Sequence, residues 1–339
     1  EGHSFGITAA GGAGWQIAEW IVDGEPTIDM MGVDPRRFGP YATRGYLKEK
    51  NEEAYRNVFT IHFPDEERSA GRPLKRAPCY GRLKEQGAVF GSVYGWERPN
   101  WFAPRGYGLT EEELNKDDTL TNKNHPVITE GEQPAEKWSF RRSNYFEFVG
   151  QECLHVHEKV GLLDMSAFAK FQVSGPGAFE WLEGLFANRV PLRAGRIGLC
   201  HLLTARGGVR SEFTVYRLGE NSFYLVSAGA FERHDWDYLQ RYCPSNGTVS
   251  LEKVTGQYGV LVVAGPRSRD VLQGLTDTDL SSESFAWLSG KKINLGAAGC
   301  HAVRVNFVGE LGWELHHPME MQNYIFDLLS AAGKPFELK

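Results

Sequence analysis

FQVSGPGAFEWLEGLF (residues 171–186) and LVVAGPRSRDVLQGL (residues 261–275) share one layout: a short apolar run, Gly-Pro, then an amphipathic stretch. The apolar run reads as a buried strand and Gly-Pro as its end. Pro176 and Pro266 read as first-turn prolines of a helix, where a missing N–H leaves no bond unmade. The two helices carry matching apolar stripes, Phe179, Leu182 and Leu185 in one copy and Val271, Leu272 and Leu275 in the other. A repeat of this kind predicts two similar α/β units packed as a pseudo-symmetric pair. Ligands often settle where such halves meet.

The alternation of strands and helices extends over the chain from Ser143 onward. Upstream, residues 34–101 mix strand-like runs at 58–63 and 88–94 with aromatic and basic residues, and read as a small α+β module. Its tail, WERPNWFAP, is aromatic and punctuated by proline. Residues 105–137 form a polar insertion carrying Glu111, Glu112, Glu113, Asp117 and Asp118, without apolar periodicity, and read as a solvated loop. At the front, GITAAGGAGWQIAEWIVDGEP (residues 6–26) reads as a small-residue turn and a helix from near Gly14 to Gly24. Trp15, Ile17, Ala18 and Ile21 fall at helical spacing there. As a dinucleotide fingerprint it is incomplete, because Gly12 and Gly14 supply only the first two glycines of G-x-G-x-x-G.

Composition removes several function classes. The chain has 339 residues, 41% hydrophobic and 24% charged, which is globular and long enough for two ordinary domains. A net charge of -6 and a pI near 6.0 do not favour nucleic acid or an anionic membrane as the main partner. Cys79, Cys153, Cys200, Cys243 and Cys300 are odd in number and never in C-x-x-C, which argues against a disulfide framework or a zinc site and fits a reducing compartment. No apolar run approaches the roughly 18 to 20 residues of a membrane span. The chain opens at Glu1 without Met and closes soon after an apolar helix-like stretch at 324–329, so it reads as a fragment of something longer.

Few residues carry chemistry by pattern alone. His155 and His157 diverge by roughly 200° on a helix, and His316 and His317 point to opposite faces of a strand, so neither pair shares a metal; no metal site is expected. No nucleophile elbow is present. Two carboxylates stand in unusual settings. Glu212 follows the turn RGGV, and strand alternation puts it opposite Phe213 and Val215, where it meets solvent or lines a pocket. Glu314 sits between Trp313 and Leu315 in GELGWELHHP, where a half-buried carboxylate can hold a flat heterocycle by two parallel N–H···O bonds.

Four blocks, in order, resemble the folate-binding glycine-cleavage T-protein fold: VGLLDMSAFAKFQVSGPGAFEWLEGLFAN, LLTARGGVRSEFTVYRL, GVLVVAGPRSRDVLQGL and NFVGELGWELHHP. They look most like the version fused behind a flavin domain in the dimethylglycine dehydrogenase and sarcosine dehydrogenase family. GITAAGGAGWQIAEWIVDGEP with DPRRFG resembles the end of that family's flavin domain, and AGRPLKRAPCYGRL with GWERPNWFAP resembles its connecting domain. The implied fold class is α+β and multidomain. It comprises a remnant of the FAD-binding oxidase domain at 1–38, a connecting domain at 39–143 with the insertion at about 105–137, and a T-protein-like folate-binding domain at 144–339, incomplete at its C-terminus.

The resemblance implies an FAD-dependent amine dehydrogenase that demethylates dimethylglycine or sarcosine and passes the carbon to tetrahydrofolate as 5,10-methylenetetrahydrofolate. The fragment alone would be inactive. Carried over residue by residue, Glu212 matches the acidic catalytic residue beside the folate nitrogens. Phe213 and Thr214 border its pocket, and Glu314 grips the pterin with Leu315 and His316 beside it. Phe307 stands where many relatives have a tyrosine, and Glu212 where many have aspartate, moving the carboxylate by about 1.5 Å. His3, Ser4, Phe5, Gly6, Ile7 and Thr8 match the segment near the isoalloxazine ring of FAD, whose main site would lie upstream. The implied partners are the N-methyl amine, tetrahydrofolate and an unidentified electron acceptor. The implied location is the cytoplasm of a bacterium or the mitochondrial matrix of a eukaryote. Two alternatives stand beside this reading: a regulatory relative like the pyruvate dehydrogenase phosphatase regulatory subunit, and a free-standing aminomethyltransferase.

Overall fold

The computed structural model describes residues 6–110, 136–305 and 307–339, in two units, residues 1–44 and 45–339. In the first, α1 (Gly6–Asp23) runs through the whole of the expected turn. The helix starts at Gly6 and not near Gly14. Ala9, Ala10 and Ala13 interleave with Gly11, Gly12 and Gly14, and alanine's helix propensity carries the backbone across them. No residue of α1 is buried, and its stripe of Trp15, Ile17 and Ile21 stands exposed. Beyond the helix, the Glu19 carboxylate accepts from Thr27 N at 3.0 Å and from Thr27 Oγ1 at 2.8 Å.

The second unit opens with α2 (Arg44–Arg56). Residues 58–63 then form no strand, against expectation: no ladder partner lies beside them among the described residues, and Phe59 and Ile61 are exposed. A short helix, α3 (Tyr80–Glu85), leads into the antiparallel hairpin of β1 (Ala88–Val93) and β2 (Trp96–Phe102). Pro99 is tolerated in β2 because it sits beside a register shift in this two-stranded ribbon. Trp101, on β2, is buried and stacks on Phe148 of α4 (Phe146–Glu158). Most of the polar insertion lies outside the described residues.

The rest is the repeat. The first copy is β4 (Ala169–Ser174), α5 (Ala178–Leu185), β5 (Ile197–Leu203), β6 (Val209–Gly219), β7 (Ser222–Ser227) and α6 (Glu232–Tyr242). The second is β9 (Tyr258–Ala264), α7 (Ser268–Gln273), β10 (Gly290–Leu295), β11 (Ala298–Val303), β12 (Gly312–Pro318) and α8 (Gln322–Gly333). Two further strands, β3 (Gly161–Asp164) and β8 (Ser250–Lys253), each precede one copy. The five-stranded antiparallel sheets have equivalent orders, β5-β6-β7-β4-β8 and β10-β11-β12-β9-β3. The fifth strands are exchanged: β3 enters from before the first copy yet pairs with β9 of the second, and β8 pairs with β4 of the first.

Alternation along the strands sorts the two faces of each sheet. Phe171, Phe213 and Leu225 point to α5 and α6, whereas Leu261, Trp313 and Leu315 point to α7 and α8. The opposite faces meet each other through Tyr216, Tyr224 and Val226 on one side and Val303 and Tyr258 on the other. Backbone bonds Ile197 N to Leu288 O (3.1 Å) and Gly290 N to Gly195 O (2.9 Å) tie the copies together. Ala77, Cys79 and Leu83 share a core with Leu261 and Leu315, so packing runs across the boundary expected near residue 143. Pro176 and Pro266 lie in the turns, two residues ahead of helices that begin at Ala178 and Ser268.

Candidate functional site

The face of the second sheet that looks toward the first carries Glu314 and His316 on β12, with His301 opposite His316 on β11. Glu314 is buried, with a side chain 11% exposed, and His316 is more so, at 1%. His316 Nε2 lies 3.1 Å from Glu314 Oε2, and its Nδ1 lies 3.2 Å from the Tyr224 hydroxyl, which comes from β7 of the other copy. With Nε2–H donated to the carboxylate, Nδ1 accepts the phenol O–H. Burial pushes the Tyr224 phenol well above its ordinary range, with Tyr258 and Glu314 adding to the effect, so it remains a donor.

Glu314 Oε1 accepts no hydrogen bond from the described residues. His301 Nδ1, on the same face, is buried without a partner among the described residues. Burial lowers the pKa of His301, with His316 and Lys292 in the same direction. A buried carboxylate with one oxygen engaged and a buried ring nitrogen with none are unfinished hydrogen bonding. A flat ligand ring bearing N–H donors could complete the carboxylate's bonding.

Glu212 occupies the corresponding face of the first sheet, on β6 beside Thr214, four residues from Tyr216 and so roughly 13 Å along the strand from it. Its side chain is 55% exposed, and Oε2 lies 3.0 Å from His201 Nε2 on β5. Phe213 does not join it. That ring is fully buried against Phe171 and Phe186, because the residue after Glu212 must point to the other face. Leu315 is turned away from Glu314 for the same reason and lies in the core with Trp313. Phe307 is 96% exposed in the connection between β11 and β12, with no packing partner among the described residues.

Alternation thus placed Glu212, Glu314 and His316 but not their partners, and Thr214 was named through the resemblance alone. Tyr224, His301, His201 and Asn188 carry no motif. Tyr224 could have been assigned to the inner face by the alternation in SFYLVS, but nothing in the sequence aims it at His316.

A second polar cluster lies deeper. Lys170 on β4 is fully buried, donates to Ser166 O at 2.7 Å, and is brought by burial to a pKa of about 7, with Asp164 and Glu232 opposing the shift. Gln322 Nε2 donates to Asp164 Oδ1 (3.1 Å) and Ser166 Oγ (3.0 Å). His317 is lowered to about 4, mainly by burial, its Nδ1 bonded to Leu315 O at 2.8 Å. Of these groups Gln322 joins α8 to the exchanged strand β3.

At the flavin end, His3, Ser4 and Phe5 lie outside the described residues. Gly6, Ile7 and Thr8 form the first turn of α1, with Ile7 98% exposed. Gly11, Gly12 and Gly14 face open space. Among the described residues no group of three or more His, Cys, Asp or Glu could hold a metal ion, and no helix is long and apolar enough to cross a membrane.

Two strand-exchanged repeats, layered helix–sheet–sheet–helix with a carboxylate on the inner face of each sheet, define an aminomethyltransferase-like class of domain. The glycine cleavage system aminomethyltransferase T from Bartonella henselae shares the fold, with a TM-score of 0.54 at 21% identity over 76% of this chain and 57% of that one. The chain belongs to the GCVT N-terminal domain family, which matches residues 79–339, and the FAD dependent oxidoreductase central domain matches residues 23–77. It is similar to dimethylglycine dehydrogenase, mitochondrial, of Mus musculus, 34% identical over 98% of the chain. It is also similar to sarcosine dehydrogenase, mitochondrial, of Homo sapiens, 31% identical over 98% of the chain. The chain spans 35% and 38% of the lengths of these relatives.

Proposed function

We propose that the chain is the folate-handling part of a flavoprotein that demethylates dimethylglycine or sarcosine and transfers the one-carbon unit to tetrahydrofolate, giving 5,10-methylenetetrahydrofolate. The layout we propose is a flavin-domain remnant at 1–38, a connecting domain at 39–143 and the folate-binding domain from 144. FAD, held elsewhere in the whole protein, supplies hydride abstraction from the N-methyl amine. A mitochondrial matrix location goes with this reading if the source is eukaryotic, as the names of the relatives suggest.

The observation that carries the reading is the buried Glu314 carboxylate, braced on one oxygen by His316 and open on the other. In that role Glu314 binds and orients the ring, Tyr224 and His316 hold the carboxylate still, and Glu212 manages protons at the reacting nitrogens. Charge-assisted hydrogen bonds contribute about 1.5 to 3 kcal/mol each. Glu314→Ala in the full-length protein is therefore expected to weaken tetrahydrofolate binding at least tenfold by calorimetry, at about 1.4 kcal/mol per factor of ten. An unchanged affinity would remove the assignment.

A further inference from the structure

Asn188, in the loop after α5, and His201, on β5, form with Glu212 a chain of hydrogen bonds whose direction is fixed from its far end. Asn188 Oδ1 accepts the backbone N–H of His201 at 2.9 Å. A backbone N–H only donates, so the atom facing it is the amide oxygen and not the amide nitrogen. The same oxygen lies 2.9 Å from His201 Nδ1, so Nδ1 carries a hydrogen and donates it. That leaves Nε2, 3.0 Å from Glu212 Oε2. A ring with its single hydrogen on Nδ1 would present a lone pair to a carboxylate, acceptor against acceptor, and hydrogen-bond distance requires a hydrogen between them. One further proton therefore lies between Nε2 and Oε2, as imidazolium facing carboxylate or imidazole facing carboxylic acid.

We infer that Asn188 and His201 are positioning residues that keep one exchangeable proton at Glu212, so that the acid–base unit is the Glu212–His201 pair and not the carboxylate alone. The inference rests on the reading of Glu212 in one-carbon transfer between amines. In that transfer the incoming nitrogen forms its N–C bond with its own electron pair and must lose its N–H proton. The old C–N bond breaks with its pair left on the departing nitrogen, which must gain a proton. Nothing is oxidised or reduced. A lone carboxylate has to collect a proton before it can give one. The pair holds one at the outset, gives it to the departing nitrogen and is refilled by one of the two folate nitrogens that bond the carbon; the second N–H proton leaves to solvent, matching the positive charge that hydride removal put on the one-carbon unit, and the pair ends as it began. Glu212 is the more exposed member, 55% against 28% for His201, so the carboxylate is the end that substrate reaches.

The test uses the full-length protein and two readouts. The first needs no turnover: 15N NMR of labelled histidine, with His201→Gln identifying the signal. Nδ1 is expected to be protonated, the Nε2 shift to move in Glu212→Gln, and the fixed tautomer to be lost in Asn188→Leu and regained in Asn188→Asp, which keeps the acceptor oxygen. A neutral His201 with its hydrogen on Nε2 overturns the inference. The second is the share of one-carbon units captured by tetrahydrofolate rather than released as formaldehyde, with bound flavin as the check on folding. Capture is expected to fall on the order of a hundredfold in His201→Gln, the scale of general acid–base catalysis, and Asn188→Asp to recover most of what Asn188→Leu loses. If His201→Gln captures normally while Glu212→Gln does not, the inference fails and the reading of Glu212 stands. If Glu212→Gln also captures normally, both fail.

Discussion

At the scale of single residues, the inner faces of the two sheets bury ionisable groups in different company. Glu314 is retained with a histidine and a tyrosine beside it. Lys170, fully buried with one hydrogen bond to a carbonyl, is instead driven toward its neutral form. Its folded pKa of about 7 lies below the unfolded value of about 10.4. Between them the unfolded chain binds the extra proton, so stability rises with pH. The clean window is about pH 7 to 8.5, because above it the thiols of the unfolded chain begin to ionise. Burial holds the folded Cys200 at about 11 and Cys300 at about 12, and that works in the other direction. Denaturant unfolding across the window is expected to show a rise of up to about 1.4 kcal/mol per pH unit that disappears in Lys170→Met; the same slope in both proteins would exclude Lys170 as its source. His317, lowered to about 4 against about 6.5 when unfolded, makes stability fall as pH drops through that interval.

At the scale of elements, the Gly-Pro turns explain why the repeat was visible at all. Gly175 has φ +118° and Gly265 φ +127°. A Cβ there would meet Thr248 O at 2.3 Å or Lys159 O at 2.5 Å. Those carbonyls lie just ahead of β8 and β3, and each accepts a backbone N–H from the turn, Gly177 N at 3.1 Å and Arg267 N at 3.1 Å. The glycine makes room for the chain entering the exchanged strand. Gly265→Ala is expected to lower unfolding stability by at least about 2 kcal/mol, in the range of strain at a special φ with a backbone clash. Gly12→Ala, in open space within α1, is expected to raise helix stability by roughly 0.5 to 1 kcal/mol. Thermal or denaturant midpoints of the two variants moving in the same direction would contradict this account. The glycines of α1 were misleading in the sequence for the same reason that Gly175 and Gly265 were informative: only a neighbouring backbone distinguishes a required glycine from a tolerated one.

At the scale of the whole molecule, the exchanged strands make the two copies interdependent. Cutting the chain in the exposed Asn246–Gly247 turn separates β3 from the sheet it completes and β8 from the other. Each piece then presents an unpaired edge to solvent. The fragments are expected to be insoluble when expressed singly and to copurify when expressed together; independently folded, soluble fragments would overturn the exchange as a source of stability. Much of this unit was legible beforehand. Strand alternation, the repeated Gly-Pro turn and the helical stripes are local, and they sufficed to place Glu212 and Glu314 on faces opposite Phe213 and Trp313. The sequence by itself determined the class of elements and their pairing into two similar copies, because each of these depends on side chains a few positions apart. Only the tertiary structure decided that β3 and β8 change places, that Tyr224 of one copy reaches His316 of the other, and that Asn188 Oδ1 lies against both the backbone N–H and Nδ1 of His201. Those contacts join strands from different sheets or a loop to a strand, and hydrogen-bond direction is set by the geometry of the folded chain.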